Sequence, residues 1–141
     1  TAIVITSDMT GLQRADLLIV ATSAAGAIIS SDHLKQGAIV YDVTQPQNVP
    51  ETLQEDRPDV LVIDGAIVKL PEGAGAHFDL GIPKGTSFAC MAETMVIAAE
   101  DPLSDFSVGH IDLAQVDYVV QKAKLHNLAL APLRSWGRPI D

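Results

Sequence analysis

Three short runs of apolar residues constrain this chain more than any other feature of its sequence. They cover residues 15–22, 38–43 and 59–63, and each is apolar at successive positions rather than alternating with polar residues. A strand with this pattern is buried on both faces, which is typical of parallel sheets covered by helices. The segments between the runs are long enough for crossover connections. The sequence therefore predicts an α/β fold built on a mainly parallel sheet.

Further segments extend this fold at both ends. Residues 2–6 and 66–70 are short β-branched runs, and the second is predicted to pair beside the strand at 59–63. Asp112, followed three residues later by Gln115, predicts the start of a helix that stops near Asn127. We predict a partial Rossmann-like sheet with flanking helices and a helical carboxyl-terminal tail. Residues 1–100 would form the second half of a dinucleotide-binding domain, and 101–141 the helical segment.

Composition and charge exclude several classes of protein. Nine Lys and Arg residues against eighteen Asp and Glu residues give a net charge of -9, which would repel nucleic acid. The apolar runs are too short to cross a bilayer. A single cysteine forms no internal disulfide, and the opening residues carry no secretory signal, so we predict a cytoplasmic protein. We predict no metal site.

The ends of the predicted strands are the expected position of a ligand. Thr22, Ser23, Asp42 and Gly65 follow or close these strands, and ligands of open α/β sheets collect at carboxyl ends. The same residue types also make turns, and both interpretations stay open. No G-x-G-x-x-G motif occurs. The chain therefore either lacks a first strand-helix-strand unit or holds a pyrophosphate in another way.

Cys90 is the candidate for a reactive group. Ser87 is predicted to cap a helix whose buried stripe contains Phe88, Met91 and Met95, with Val96 and Ala99. Cys90 would then lie in the first turn, where free amides and the helix dipole stabilise a thiolate. Its alternative role is that of a small buried hydrophobe.

Two neighbouring residues are candidates for proton transfer or substrate orientation. Glu93 lies one helical turn after the cysteine, and His77 lies in the glycine-rich segment 71–85 before the helix. A solvated helix glutamate and a surface histidine without a role are the alternatives. We predict Cys90, His77 and Glu93 as the catalytic residues.

Five blocks of the sequence resemble a known family. In order, residues 15–23, 63–68, 77–79, 88–95 and 105–109 resemble the carboxyl-terminal part of long-chain acyl-(acyl-carrier-protein) reductase, whose looser relatives are predicted amino-acid or shikimate-type dehydrogenases. The resemblance implies that Cys90 takes an acyl group from a carrier-protein or CoA thioester. NADPH, or alternatively NADH, would reduce this acyl-enzyme to an aldehyde, with Thr22, Ser23, Asp42 and Gly65 beside the nicotinamide.

Two departures from the family pattern leave alternatives open. The segment between residues 79 and 90 is shorter, which argues against specificity for long acyl chains. The glycine-rich turn and the amino-terminal substrate domain are missing, so the fragment alone is expected to be inactive. One alternative is a shikimate-type or amino-acid-type dehydrogenase without covalent catalysis. The other is a non-catalytic half-domain that assembles with another chain, with a missing amino-terminal segment, or as a homo-oligomer through its sheet edge.

Overall fold

The chain divides into two compact units. The computed structural model describes residues 3–75, 79–100, 106 and 109–140. Unit 1 comprises Thr1–Gly65 and Leu133–Asp141, and unit 2 comprises Ala66–Pro132. The predicted division after residue 100 concerns functional domains and stays a prediction.

Unit 1 contains a three-stranded parallel sheet. Its strands are β1 (Leu17–Val20), β2 (Ile39–Asp42) and β3 (Leu61–Asp64), in the order β1-β2-β3. Leu17 is level with Ile39, and Ile39 is level with Leu61. The structure confirms an α/β chain with a parallel sheet at the predicted apolar runs.

One face of this sheet carries the core of unit 1. Val20, Val40 and Val62 are buried there, and the connections between the strands cover them with Ile29, Leu34, Val49 and Leu53. These connections contain the short helix α1 (Leu53–Asp56) and a 3-10 turn at Ser31–His33. A full helix is therefore not formed in the first connection.

The prediction that the strands are buried on both faces is wrong for the described residues. Leu17, Ile19, Ile39 and Leu61 lie on the second face and are 39–62% exposed. Both connections pack on the first face, because successive right-handed crossovers in one direction lie on the same side of a sheet. The predicted strand at 2–6 also differs, since the described residues 3–6 are exposed and form no strand.

Unit 2 combines a small antiparallel sheet with two helices. Strand β4 (Ile67–Lys69) lies between β5 (Thr86–Phe88) and β6 (Ala129–Leu130). Both pairings are antiparallel. The prediction that 66–70 extends the parallel sheet is therefore wrong, because its partners come from later in the chain.

The two helices of unit 2 are α2 (Ala89–Glu100) and α3 (Leu113–Leu125). Asp112 accepts a hydrogen bond from the Gln115 amide at 2.8 Å, and the Gln115 side chain accepts one from the Asp112 amide at 2.8 Å. Asn127 follows the helix with a φ of 57°, in the left-handed region typical of helix ends. Both predicted ends of α3 are confirmed.

The start and buried face of α2 differ from prediction. Ser87 lies in β5, where it is 1% exposed and paired with Val68, so it does not cap the helix. Ala92 and Val96 are the buried residues of α2, whereas Met95 is 47% exposed. Helical periodicity alone did not identify which face of α2 would pack against β4 and α3.

The end of the chain returns to unit 1 as a hairpin. Strands β7 (Arg134–Ser135) and β8 (Arg138–Pro139) are joined by Trp136 and Gly137, whose φ values are 44° and 75°. Two left-handed residues in succession match the twist of a two-residue hairpin. Trp136 packs against the core of unit 1. The carboxyl-terminal tail is thus only partly helical.

Candidate functional sites

The carboxyl ends of β2 and β3 place two aspartates side by side in unit 1. Asp42 is level with Asp64 in the parallel register. The Asp42 carboxylate is 2% exposed and accepts four hydrogen bonds, from the amides of Thr44, Asn48 and Val49 and from the Thr44 hydroxyl, at 2.5–3.1 Å. Its acceptor capacity is therefore used inside the protein.

Asn48 is a central polar residue that sequence reasoning missed. It is fully buried, and its amide group donates to the carbonyls of Ala24 at 3.1 Å and Gly26 at 2.7 Å. Its side-chain oxygen accepts a short hydrogen bond from the Thr22 hydroxyl. The sequence shows only that Asn48 lies between Pro46 and Pro50, a composition typical of a loop. Its burial and its partners come from contacts with distant residues, which the sequence does not show.

Asp64 holds the terminal hairpin. Its carboxylate accepts hydrogen bonds from the Gln47 side chain at 2.6 Å, the Trp136 amide at 2.8 Å and the Gly137 amide at 2.6 Å. Gly65 follows it with its amide 2.7 Å from the Asp42 carbonyl. A Cβ on Gly65 would approach that carbonyl to 2.9 Å, so a side chain is excluded there.

Three of the four residues predicted to contact a cofactor are instead held by other residues of unit 1, and Ser23 is the exception. The hydroxyl of Thr22 bonds Asn48, Asp42 is enclosed, and Gly65 is buried against β2. Ser23 is exposed in the segment after β1. The packing explains Asp42 and Gly65 without a ligand.

The predicted catalytic residues lie in a different part of the chain. Cys90 is the second residue of α2 and is exposed. Glu93 lies one turn further on the same helix and lines two pockets of unit 2. His77 lies outside the described residues. The strand ends belong to unit 1 and the cysteine to unit 2, so a single cleft that holds both sets stays a prediction.

Unit 2 contains an apolar pocket between α2, α3, β4 and β6. Its volume is about 500 Å³, which lies within the roughly 300–1,000 Å³ range of small-molecule sites. Ten of its lining residues are aliphatic: Val68, Ala89, Ala92, Val96, Val119, Val120, Ala123, Leu128, Ala129 and Leu130. Two charged residues complete the lining, Glu93 from α2 and Lys124 from α3.

A smaller pocket of about 150 Å³ adjoins this one along α3. It shares Glu93, Val119 and Val120 with the larger pocket. Ile111 and Val116, at the start of α3, also line it. The apolar space in unit 2 therefore follows the face of α3 that turns towards α2.

A charged cluster joins the end of α2 to the end of α3. The Glu100 carboxylate accepts a hydrogen bond from Lys122 and lies 2.8 Å from His126 Nε2. The hydrogen bond from Lys122, followed by that from His126, lowers the pKa of Glu100, and the same bond to Glu100 raises the pKa of Lys122. The cluster joins the two helices at the end of α2 opposite Cys90.

Within the described ranges, every helix is too short or too polar to span a bilayer. The same ranges contain no grouping of three His, Cys, Asp or Glu side chains suited to a metal ion.

Comparison with known proteins identifies a curated relative of this chain. No protein-family model matches the chain. The aminotransferase PigE of Serratia sp. (strain ATCC 39006) is 32% identical to it over 143 residues, covering 99% of this chain and 17% of the relative. The chain thus spans about a sixth of the length of this relative.

This relative overturns the predicted reaction. An aminotransferase is a transferase, so the predictions of an NAD(P)-dependent oxidoreductase, of thioester reduction and of a shikimate-type or amino-acid-type dehydrogenase are wrong. The prediction of NADP or NAD as the cofactor is wrong for the same reason. The predicted carrier-protein or CoA thioester substrate has no support. The physical reason is that an α/β sheet and a helix-borne thiol occur with many chemistries.

Aminotransferase chemistry implies pyridoxal phosphate, and the described residues do not assemble a site for it. Such a site needs a lysine for the Schiff base and a carboxylate or arginine for the pyridine nitrogen. Lys35 pairs with Asp16 and Lys122 with Glu100. Lys69 and Lys84 are exposed, and Lys124 and Glu93 share the pocket of unit 2 with ten aliphatic residues that offer no side-chain donor for the phosphate. The enclosed carboxylate of Asp42 already binds backbone amides.

Proposed function

We propose that this chain is a substrate-binding segment of a larger protein of the aminotransferase type. In this proposal the pocket of unit 2 holds the hydrocarbon part of an amino-group donor or acceptor, and the cofactor lies in polypeptide outside these residues. The observation that carries it is the aliphatic lining of a 500 Å³ space. The name of the Serratia relative and its much greater length support the assignment.

The lining favours a ligand with an aliphatic body and one polar end. Ten aliphatic residues offer contacts to methylene groups, whose burial contributes about 0.8 kcal/mol each. Lys124 is exposed at this lining, and no carboxylate forms an ion pair with it among the described residues. Its ammonium would attract a carboxylate or carbonyl oxygen of the ligand, and Glu93 would favour an amine.

The first test measures binding of straight-chain carboxylates, aldehydes and amines of four to ten carbons by calorimetry. Affinity is expected to rise about fourfold per methylene until the pocket is full. Val120→Trp should abolish this rise by filling the pocket. Leu113→Trp is the matched control, since Leu113 lies on the same helix, is 81% exposed and lines neither pocket. Equal binding by both variants would refute the pocket assignment.

The second test concerns the cofactor. Pyridoxal phosphate is added to the 141-residue chain, the imines are reduced with borohydride, and the modified lysines are mapped by mass spectrometry. We expect slow, substoichiometric labelling spread over exposed lysines. Stoichiometric modification of one lysine would place the cofactor in this chain and overturn the division of roles.

The resemblance to the acyl-(acyl-carrier-protein) reductase family is retained as a proposal about fold and descent. We infer that the parallel sheet of unit 1 is part of a Rossmann-like sheet inherited without the reductase reaction. The parallel order β1-β2-β3 supports this inference. A reactive role for Cys90 stays a prediction. Its exposure agrees with one, and the pH dependence of its alkylation by iodoacetamide would test it.

A further inference from the structure

The second face of the unit 1 sheet is an apolar surface that the described residues cover only in part. Leu17, Ile39 and Leu61 form one row across the three strands, and Ile19, Tyr41 and Ile63 form the next. Leu17 is 58% and Ile19 is 62% exposed. All six side chains are uncharged. Parallel sheets occur almost only with both faces covered, and a contiguous apolar patch marks an interaction surface.

The topology indicates what kind of structure covers this face. Both connections, β1 to β2 and β2 to β3, lie on the opposite face because their right-handed crossovers proceed in one direction. In doubly wound sheets the second helical layer comes with strands added in the other direction, beyond the first strand. Among the described strands β1 pairs with β2 alone, so its outer edge can accept such a strand.

Two further observations favour polypeptide outside these residues as the source. Ile3, Val4 and Ile5 precede β1 as a β-branched run that is 78–95% exposed and forms no strand. The chain matches only 17% of the Serratia aminotransferase, so most of that protein lies outside the matched part. Added strands from such a region would supply the missing sheet neighbours.

We propose that the β1 edge and the open face bind a strand-helix unit that belongs to the same longer polypeptide. Its strand extends the sheet in parallel beside β1. Its amphipathic helix places an aliphatic stripe over Leu17, Ile19 and Ile39. This inference rests on unit 1 alone and is independent of the ligand pocket in unit 2.

The test measures access to a cysteine on the open face. In a Cys90→Ser background, Ile19→Cys is the reporter and Gln54→Cys, exposed on α1, is the matched control. Maleimide labelling is followed in the 141-residue chain and in the polypeptide encoded by the complete reading frame. We expect Ile19→Cys to react at least about tenfold more slowly in the longer polypeptide, with Gln54→Cys unchanged.

Three results would overturn the proposal. One is equal labelling of Ile19→Cys in both polypeptides. Another is slow labelling in the 141-residue chain together with a doubled mass in light scattering, which would show that a second copy covers the face. The third is a reading frame that encodes nothing further. Amide exchange of β1 in the two unsubstituted polypeptides gives the same comparison without a variant.

Discussion

Unit 1 and unit 2 use their side chains in opposite ways. Unit 1 buries a continuous aliphatic cluster and encloses polar residues such as Asp42 and Asn48 in hydrogen bonds. Among the described residues of unit 2 the buried apolar ones are Leu70, Ala92 and Val96, and α3 buries none of its residues. The polar strand ends that suggest a ligand site thus stabilise unit 1, while the aliphatic helices of unit 2 leave space for a ligand.

The largest expected effect comes from removing the Asp42 carboxylate at the centre of unit 1, because the enclosed polar residues of this unit depend on it. Asp42→Ala leaves three buried amides without their acceptor, and we expect a loss of about 3–5 kcal/mol in the free energy of unfolding. Urea unfolding followed by fluorescence of Trp136, the single tryptophan, reports on unit 1. Asp42→Asn keeps one acceptor oxygen and should lose less. A loss below about 1 kcal/mol for Asp42→Ala would show that the network is not structural.

A pair of valine truncations compares the packing of the two units. Val40 is fully buried in unit 1, and Val40→Ala should cost about 2 kcal/mol of unfolding free energy. Val120 is 46% exposed in unit 2, and Val120→Ala should cost less than about 1 kcal/mol. Chemical denaturation of both variants, monitored by circular dichroism, checks the difference. Equal costs would mean that the pocket of unit 2 is closed in solution.

The start of α3 tests how far unit 2 depends on local interactions. Asp112→Ala removes the acceptor for the Gln115 amide, and we expect a loss of about 1 kcal/mol together with faster amide exchange in the first turn. Asp112→Asn retains a capping oxygen and serves as the control. If both variants behave like the unsubstituted protein, tertiary contacts rather than the cap hold this helix end.

The smallest expected effect is the pH dependence of the helix pair. The pKa of Glu100 is lowered in the folded protein, so the ionised Glu100 stabilises the folded state. This stabilisation is present above the ordinary pKa of glutamate, about 4, and is lost as the pH falls through the folded pKa. The pKa of Lys122 is raised in the folded protein, so the charged Lys122 also stabilises the folded state. This stabilisation is present below the ordinary pKa of lysine and is lost as the pH rises through the folded pKa.

Amide exchange of α3 between pH 3 and pH 7, corrected for intrinsic rates, measures the acidic side of this dependence. Glu100→Gln should flatten the profile, and Asp117→Asn, which changes an exposed acid of α3, should leave it in place. A profile unchanged by Glu100→Gln would show that the cluster does not stabilise the helix pair.

The elements that were predicted correctly are those with strong local signals. Strands β1 to β3 coincide with uninterrupted apolar runs, and α3 begins at a capping box and ends before Asn127. Serine is favoured as a helix cap, but Ser87 lies in β5 and pairs with Val68. Glu93, one of the predicted catalytic residues, lines the pocket of unit 2, but the pocket itself depends on which face of α2 meets α3. The catalytic roles of Cys90, His77 and Glu93 stay predictions.

The sequence by itself determined that the chain forms an α/β structure, because the spacing of apolar runs and caps is a local property. Only the tertiary structure decided which side chains remain available to contact a ligand. The Trp136 amide meets Asp64 across 72 positions of the chain, and no local pattern encodes such a contact. Burial and hydrogen bonding between distant segments enclosed the strand-end aspartates in unit 1 and left an open aliphatic pocket in unit 2.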